Sequence, residues 1–251
     1  MSYTGPSNTT TPRFTTFDSL YAHLRNTYPA PLLPPGKAYD LSLTDAISSL
    51  YLHPTLEAAL HILNADLPSA HFLVRHMQAA PAVAGMYLHG ILHRIEGDYD
   101  NARCWYVDVA REGCGAFDEV WEVASSSDDR RGDGNDGKDA RGGGEDVKEE
   151  DELPKPQRLR HLNPRAAEFI DAIQTLHGQR RSASPFSSSH QEESRLTHLS
   201  AHELTTVISW CVREYGSGVW TDARPAWVRP SEEERKIGNR MVSEGEGRRK
   251  F

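Results

Sequence analysis

His89, His93 and Glu96 stand at i, i+4 and i+7. On a helix, at 100° per residue, the three side chains fall within about 60° of arc. Two imidazoles and a carboxylate on one helix face are the ligand types that hold a divalent cation such as Zn²⁺. The spacing is HxxxHxxE rather than the HExxH of zinc proteases, so a fourth ligand has to come from a neighbouring helix. His61, His71 and Asp98 are the candidates. The same three side chains also fit acid–base chemistry, or a polar flank that recognises a partner. The chain holds 12 histidines in 251 residues, so composition alone can produce such a pair. No GxSxG, P-loop or GxGxxG motif accompanies them. No catalytic residue is assigned, and whether the protein is an enzyme stays open at this level.

The helix that carries this face is set by its apolar residues. Leu88, Ile91, Leu92 and Ile95 follow i, i+3, i+4, i+7, centred about 120° from the histidine face. Three further sets have the same form: Leu56, Ala59, Leu60, Leu63; Ala70, Leu73, Val74, Met77; and Ala102, Trp105, Tyr106, Val109. The third and fourth sets in chain order are the first and second moved by 32 residues, and Asp66 falls on Asp98. Residues 54–79 and 84–111 therefore read as two copies of one helical hairpin. The first-copy mates of His89, His93 and Glu96 are Glu57, His61 and Asn64. Asp66 and Asp98 are placed to cap the second helix of each hairpin, and Gly97 to end the helix before it.

Gly97-Asp98-Tyr99-Asp100-Asn101-Ala102-Arg103-Cys104-Trp105-Tyr106 resembles the start of the second helix of a tetratricopeptide (TPR) repeat. The period of 32 is close to the roughly 34 of TPR proteins. The block from His89 to Asp98, with Asn101-Ala102 and Trp105-Tyr106, is also similar to a group of fungal and bacterial proteins that carries no assigned activity. The TPR resemblance implies antiparallel helical hairpins whose first helices line a concave groove for a protein or peptide partner. Trp105 and Tyr106 then pack between the two helices of a hairpin.

Two hairpins do not close a stack, so other helices must cover the ends. Phe17–Tyr28 and Leu41–Leu52 are expected as helices. Asn163-Pro164 opens another, with Ala166, Phe169, Ile170, Ile173 and Leu176 on one face, stopped by Gly178. Ser200 and Glu203 form a capping box that opens a helix ending at Gly216, and Ser231–Met241 is a short terminal helix. The fold class expected is all-α: TPR-like antiparallel hairpins closed by C-terminal helices. Residues 1–13 read as a disordered N-terminus and 14–123 as the helical domain. Residues 124–158 read as a long acidic disordered insert. Residues 159–251 complete the same domain, with a polar loop at 179–198. Residues 126–152 carry eleven acidic and five basic side chains, hence −6 of the net −8. Such a stretch cannot bury enough apolar area to offset its ordering entropy. Trp210, Trp220 and Trp227 read as a clamp by the C-terminal tail, and Cys104 and Cys211 as buried thiols.

What remains is near neutral and shows no basic stripe, so no nucleic-acid partner is expected. No apolar run approaches the roughly 20 residues of a membrane span, and no secretory leader is read at the N-terminus. Three cysteines without CxxC spacing exclude a disulfide framework and a Cys-rich zinc module. The sequence points to a soluble intracellular, cytoplasmic interaction scaffold without a cofactor. The alternative is a metal-dependent enzyme built on His89, His93 and Glu96, with zinc as the metal.

Overall fold

The computed structural model describes residues 14–121, 162–182 and 190–228. The expected disordered N-terminus (1–13), the expected acidic insert (124–158) and the expected Ser231–Met241 helix lie outside the described residues. Among the described residues every long element is an α-helix and there is no strand. In chain order these are α1 (Phe17–Thr27), α2 (Ser42–Ser48), α3 (Pro54–Leu63), α4 (Leu67–Val74), α5 (Val83–Glu96), α6 (Tyr99–Arg111), α7 (Gly115–Trp121), α8 (Pro164–Arg181) and α9 (His190–Tyr215). A single 3-10 turn, Arg224–Ala226, follows. None of the helices is long and apolar enough to cross a membrane.

The 32-residue echo survives in three dimensions. α4 begins at Leu67 and α6 at Tyr99. Fourteen of the sixteen apolar repeat positions are buried. The exceptions, Leu73 and Trp105, are each other's mates and both are half-buried. Within α5–α6, His93 meets Asn101, Gly90 meets Trp105 and Tyr87 meets Tyr106, so the two helices run antiparallel. α3 and α4 follow the same course, from His61 beside Asp66 to Thr55 beside Met77.

Local chemistry sets the helix ends. Pro54 and Pro164 occupy first-turn positions, where no N–H is required. Asn163 Oδ1 accepts from the N–H groups of Arg165 and Ala166, and Asp66 accepts from Ser69. Gly97 ends α5 with φ of 84°, and its successor Asp98 donates its N–H to His93 O. Asp98 departs from the expected cap. It takes no backbone N–H, and its carboxylate turns to Asn101 Nδ2, at 3.4 Å, and toward His93.

Other boundaries differ from expectation as well: α2 stops at Ser48 and α4 at Val74, short of Leu52 and Met77. α8 passes through Gly178 to Arg181. α9 starts at His190, so much of the expected polar loop is helix. Ser200 and Glu203 lie inside α9 rather than at its start. The reason is a longer apolar stripe. Leu196, Ser200, Glu203, Leu204, Val207, Ile208 and Cys211 form one continuous buried face, and the two polar members have tertiary partners that outcompete a cap.

α3 and α5 are interior rods. All of α3 except Glu57 is buried, and all of α5 except Val83, His93 and Glu96. α1, α2, α4, α5 and α9 pack on α3, while α8 covers α6. Close approach needs small residues. A Cβ at Gly85 would stand 2.4 Å from Met77 Cβ, and one at Gly90 would stand 3.0 Å from Trp105 Cβ. Gly85→Ala is therefore expected to lower stability by about 1–3 kcal/mol through overpacking. An unchanged denaturant midpoint would contradict this contact.

The core is crossed by a polar network. Arg94 and Glu203, both with 0% exposed side chains, pair through Nη2–Oε2 at 2.9 Å. Arg94 also donates to Ser200 Oγ, which in turn donates to Pro31 O. Tyr87 and Tyr106 both donate to Glu203 Oε1, and Trp121 donates to Tyr87. Burial, then the Glu203 charge, pushes both phenols well above their usual range, so they remain donors. The helices α5, α6, α7 and α9 are thereby tied to one carboxylate.

The tail after α9 straps the first hairpin. Trp220 N donates to Tyr51 O at 2.6 Å and Val228 N to His76 O at 2.9 Å. Of the three tryptophans expected in a core clamp, Trp210 and Trp220 are half-buried and Trp227 is 40% exposed. Cys211 is buried, whereas Cys104 is only half-buried. His53 lies flat on Tyr215 at 3.8 Å between ring centroids, with Trp220 edge-on. Its Nδ1 accepts the Thr55 N–H, and burial pushes its pKa down to about 4. The folded pKa lies below the unfolded value of about 6.5. His53 thus contributes stability that is complete above pH 6.5 and is lost as pH falls toward 4. His53→Asn is expected to flatten denaturation free energy against pH across that window, by up to about 1.4 kcal/mol per pH unit. An unaltered slope would show that His53 is not held neutral.

Candidate functional site: a three-histidine cluster

α5 presents His89 and His93 one turn apart, as the spacing requires, and α4 brings His71 against them. Ligand atoms of these three side chains all lie within 4.8 Å of one another. His71 Nε2 and His89 Nε2 are 3.0 Å apart. The His89 and His93 rings stack at 4.8 Å between centroids, and His71 stands edge-on to both. His89 is 3% exposed, sealed by the Trp105 indole stacked on it at 4.5 Å. His71 and His93 are half-buried and form the open side.

Protonation follows from the partners. His71 Nδ1 faces Glu96 Oε1 at 3.4 Å, which favours a proton on that nitrogen and leaves Nε2 turned to the cluster. His93 Nδ1 is 3.7 Å from both Glu96 Oε2 and Asp98 Oδ2, and Asn101 Nδ2 lies 3.2 Å from its Nε2. Its tautomer is the same. His89 Nε2 then donates to His71 Nε2, leaving His89 Nδ1 buried without a partner. Burial, then the neighbouring His93 and His71, pushes the His89 pKa down to about 3. The innermost imidazole is thus neutral, the form that ligates a metal.

Of the three residues singled out from the sequence, His89 and His93 enter the cluster as ligand types. Glu96 is placed outside the set of mutually close ligand atoms, on the Nδ1 side of His71 and His93. It orients them, as the carboxylate does in carboxylate–histidine–metal triads. The three candidate fourth ligands separate clearly. His71 joins the cluster and Asp98 backs His93. His61 sits elsewhere, buried on α3 beside Asp66 and Glu57. Spacing alone could not choose among them: the repeat mate of His71 is Arg103, so no internal echo marks it.

Each hairpin also pairs a histidine Nδ1 with the aspartate five residues on, His61–Asp66 at 3.2 Å and His93–Asp98 at 3.7 Å. The two copies keep a His–Asp frame while differing in what it serves. No family model, no curated protein and no solved structure matches this chain.

Proposed function

We propose that this protein binds one divalent transition-metal ion of zinc type on His71, His89 and His93, with Glu96 and Asp98 behind His71 and His93. The observation that carries the reading is the convergence of three imidazoles from two helices around a buried, neutral His89. Zn–N bonds of about 2.0–2.1 Å put tetrahedral ligand atoms about 3.4 Å apart, and the 3.0 Å between His71 and His89 is close to that. Three protein ligands leave a fourth position for water or a substrate group, the coordination that catalytic zinc uses. The metal-dependent alternative therefore stands, with His71 in the set and Glu96 moved from ligand to orienting group.

The paired hairpins support a TPR-like stack capped by α8 and α9. The interaction-scaffold reading, with a protein or peptide along the first helices, is less well supported. Those helices are α3 and α5, which are almost wholly buried, so little of either faces solvent.

Metal analysis after zinc loading and exhaustive desalting tests the proposal. The wild-type chain retains one equivalent, and His89→Ala and His93→Ala each lose it. Retention below about a tenth of an equivalent by the wild type, or full retention by both variants, rejects it.

A further inference from the structure

Moving the His89 site back by 32 residues lands on an open pocket of about 360 Å³, lined by Ser48, Glu57, His61, Ser69, Phe72 and Leu73, together with Pro68. The correspondence is residue by residue. Glu57 is the mate of His89, His61 of His93, Ser69 of Asn101, Phe72 of Cys104 and Leu73 of Trp105. In the second hairpin the Trp105 indole lies on His89. In the first, Leu73 is smaller and the corresponding space stays open.

The chemistry of this space differs from that of its twin. Asp66 is satisfied by Thr44 Oγ1 at 2.8 Å, Ser69 N and His61 Nδ1. These hydrogen bonds outweigh its burial and hold its carboxyl below the usual range. An ionised Asp66 accepts only, so His61 Nδ1 carries a proton toward it and Nε2 is the ring nitrogen left facing Glu57. That nitrogen faces Glu57 Oε1 at 3.9 Å, too long for a hydrogen bond. Among the described residues Glu57 has no other ion-pair partner. The pocket therefore sets the Glu57 carboxylate beside the His61 imidazole, with Ser48 and Ser69 also in its lining. Its wall is apolar: Phe72, Leu73 and Pro68. Arg75 is stacked on Phe72 and is not part of the lining.

We propose that this pocket binds a small organic cation, a primary ammonium on a short branched alkyl body. The ammonium donates to Glu57 Oε1 and His61 Nε2, and the alkyl group lies on Phe72 and Leu73. An ammonium has three N–H donors, enough to serve the Glu57 carboxylate and the His61 Nε2 lone pair together. The two copies of the hairpin have then diverged into a metal centre and an amine site. The amine site does not depend on the metal reading, since it shares no residue with the cluster.

The test uses the full chain and 3-methylbutylammonium, with 3-methylbutan-1-ol as the neutral probe of the same shape. Binding is read by calorimetry and by the His61 ring resonances in a proton–carbon correlation spectrum. The amine is expected to bind and to shift His61, with the alcohol at least about tenfold weaker. Glu57→Gln, isosteric and at a partly exposed position, is expected to weaken the amine at least about tenfold. Leu73→Trp, which installs the residue of the second hairpin, is expected to abolish binding while helical content is retained. Should that variant not fold, Glu57→Gln decides alone. No amine binding by the wild type, equal binding of the alcohol, or an unchanged affinity in Glu57→Gln overturns the proposal.

Discussion

Glu203→Ala is expected to destabilise the fold by about 3–5 kcal/mol. The substitution removes the one anion paired with Arg94 among the described residues, and the Arg94 side chain is fully buried. Burial alone would depress the Arg94 charge, and the Glu203 carboxylate is what outweighs it. Two phenol donors, Tyr87 and Tyr106, lose their acceptor at the same time. Breaking a buried pair from one side costs about 3–5 kcal/mol, against a total stability of about 5–15 kcal/mol for a domain of ordinary stability. Urea denaturation followed by circular dichroism measures the loss. Arg94→Met combined with Glu203→Leu is expected to be less damaging than Glu203→Ala alone, because no uncompensated charge is left in the core. A shift under about 1 kcal/mol for Glu203→Ala would mean that water reaches Arg94 in solution.

The second large effect separates ligands from the groups that orient them. His71→Ala deletes an imidazole of the cluster and is expected to reduce zinc affinity by more than about 100-fold, beyond the 10–100-fold that outer groups contribute. Glu96→Gln keeps the shape and a weaker acceptor opposite His71 Nδ1, and is expected to fall within roughly that 10–100-fold range. Competition against a chromophoric zinc chelator measures both. Equal losses in the two variants would return Glu96 to the ligand set, and a loss in Glu96→Gln without one in His71→Ala would remove His71 from it.

The helical core was legible because helical period and the 32-residue offset are properties of neighbouring residues. They fixed which residues of α3 to α6 turn inward, down to the shared half-burial of Leu73 and Trp105. Helix ends were legible where a local group sets them, as at Asn163, Gly97 and Gly216. They failed where a distant partner intervenes. Ser200 and Glu203 match a capping box in spacing, yet Arg94 lies 109 residues from Glu203 and draws it inward. No local pattern encodes that pairing. The same division holds at the cluster. The spacing of His89, His93 and Glu96 showed a shared face, but not which side chain from α4 would meet it. The His71 contribution depends on the packing of α4 against α5, whereas Asp98, expected as a cap, faces His93 of its own hairpin.

Cobalt(II) titration of the purified chain, followed by visible absorption, tests the three-histidine centre most directly. The structure leads to intense d–d bands of a four-coordinate nitrogen-rich site that saturate at one equivalent and bleach on adding zinc. In His71→Ala and His89→Ala those bands vanish while the far-ultraviolet spectrum is unchanged. Absorption no stronger than that of aqueous cobalt, or an identical spectrum in His71→Ala, would contradict it.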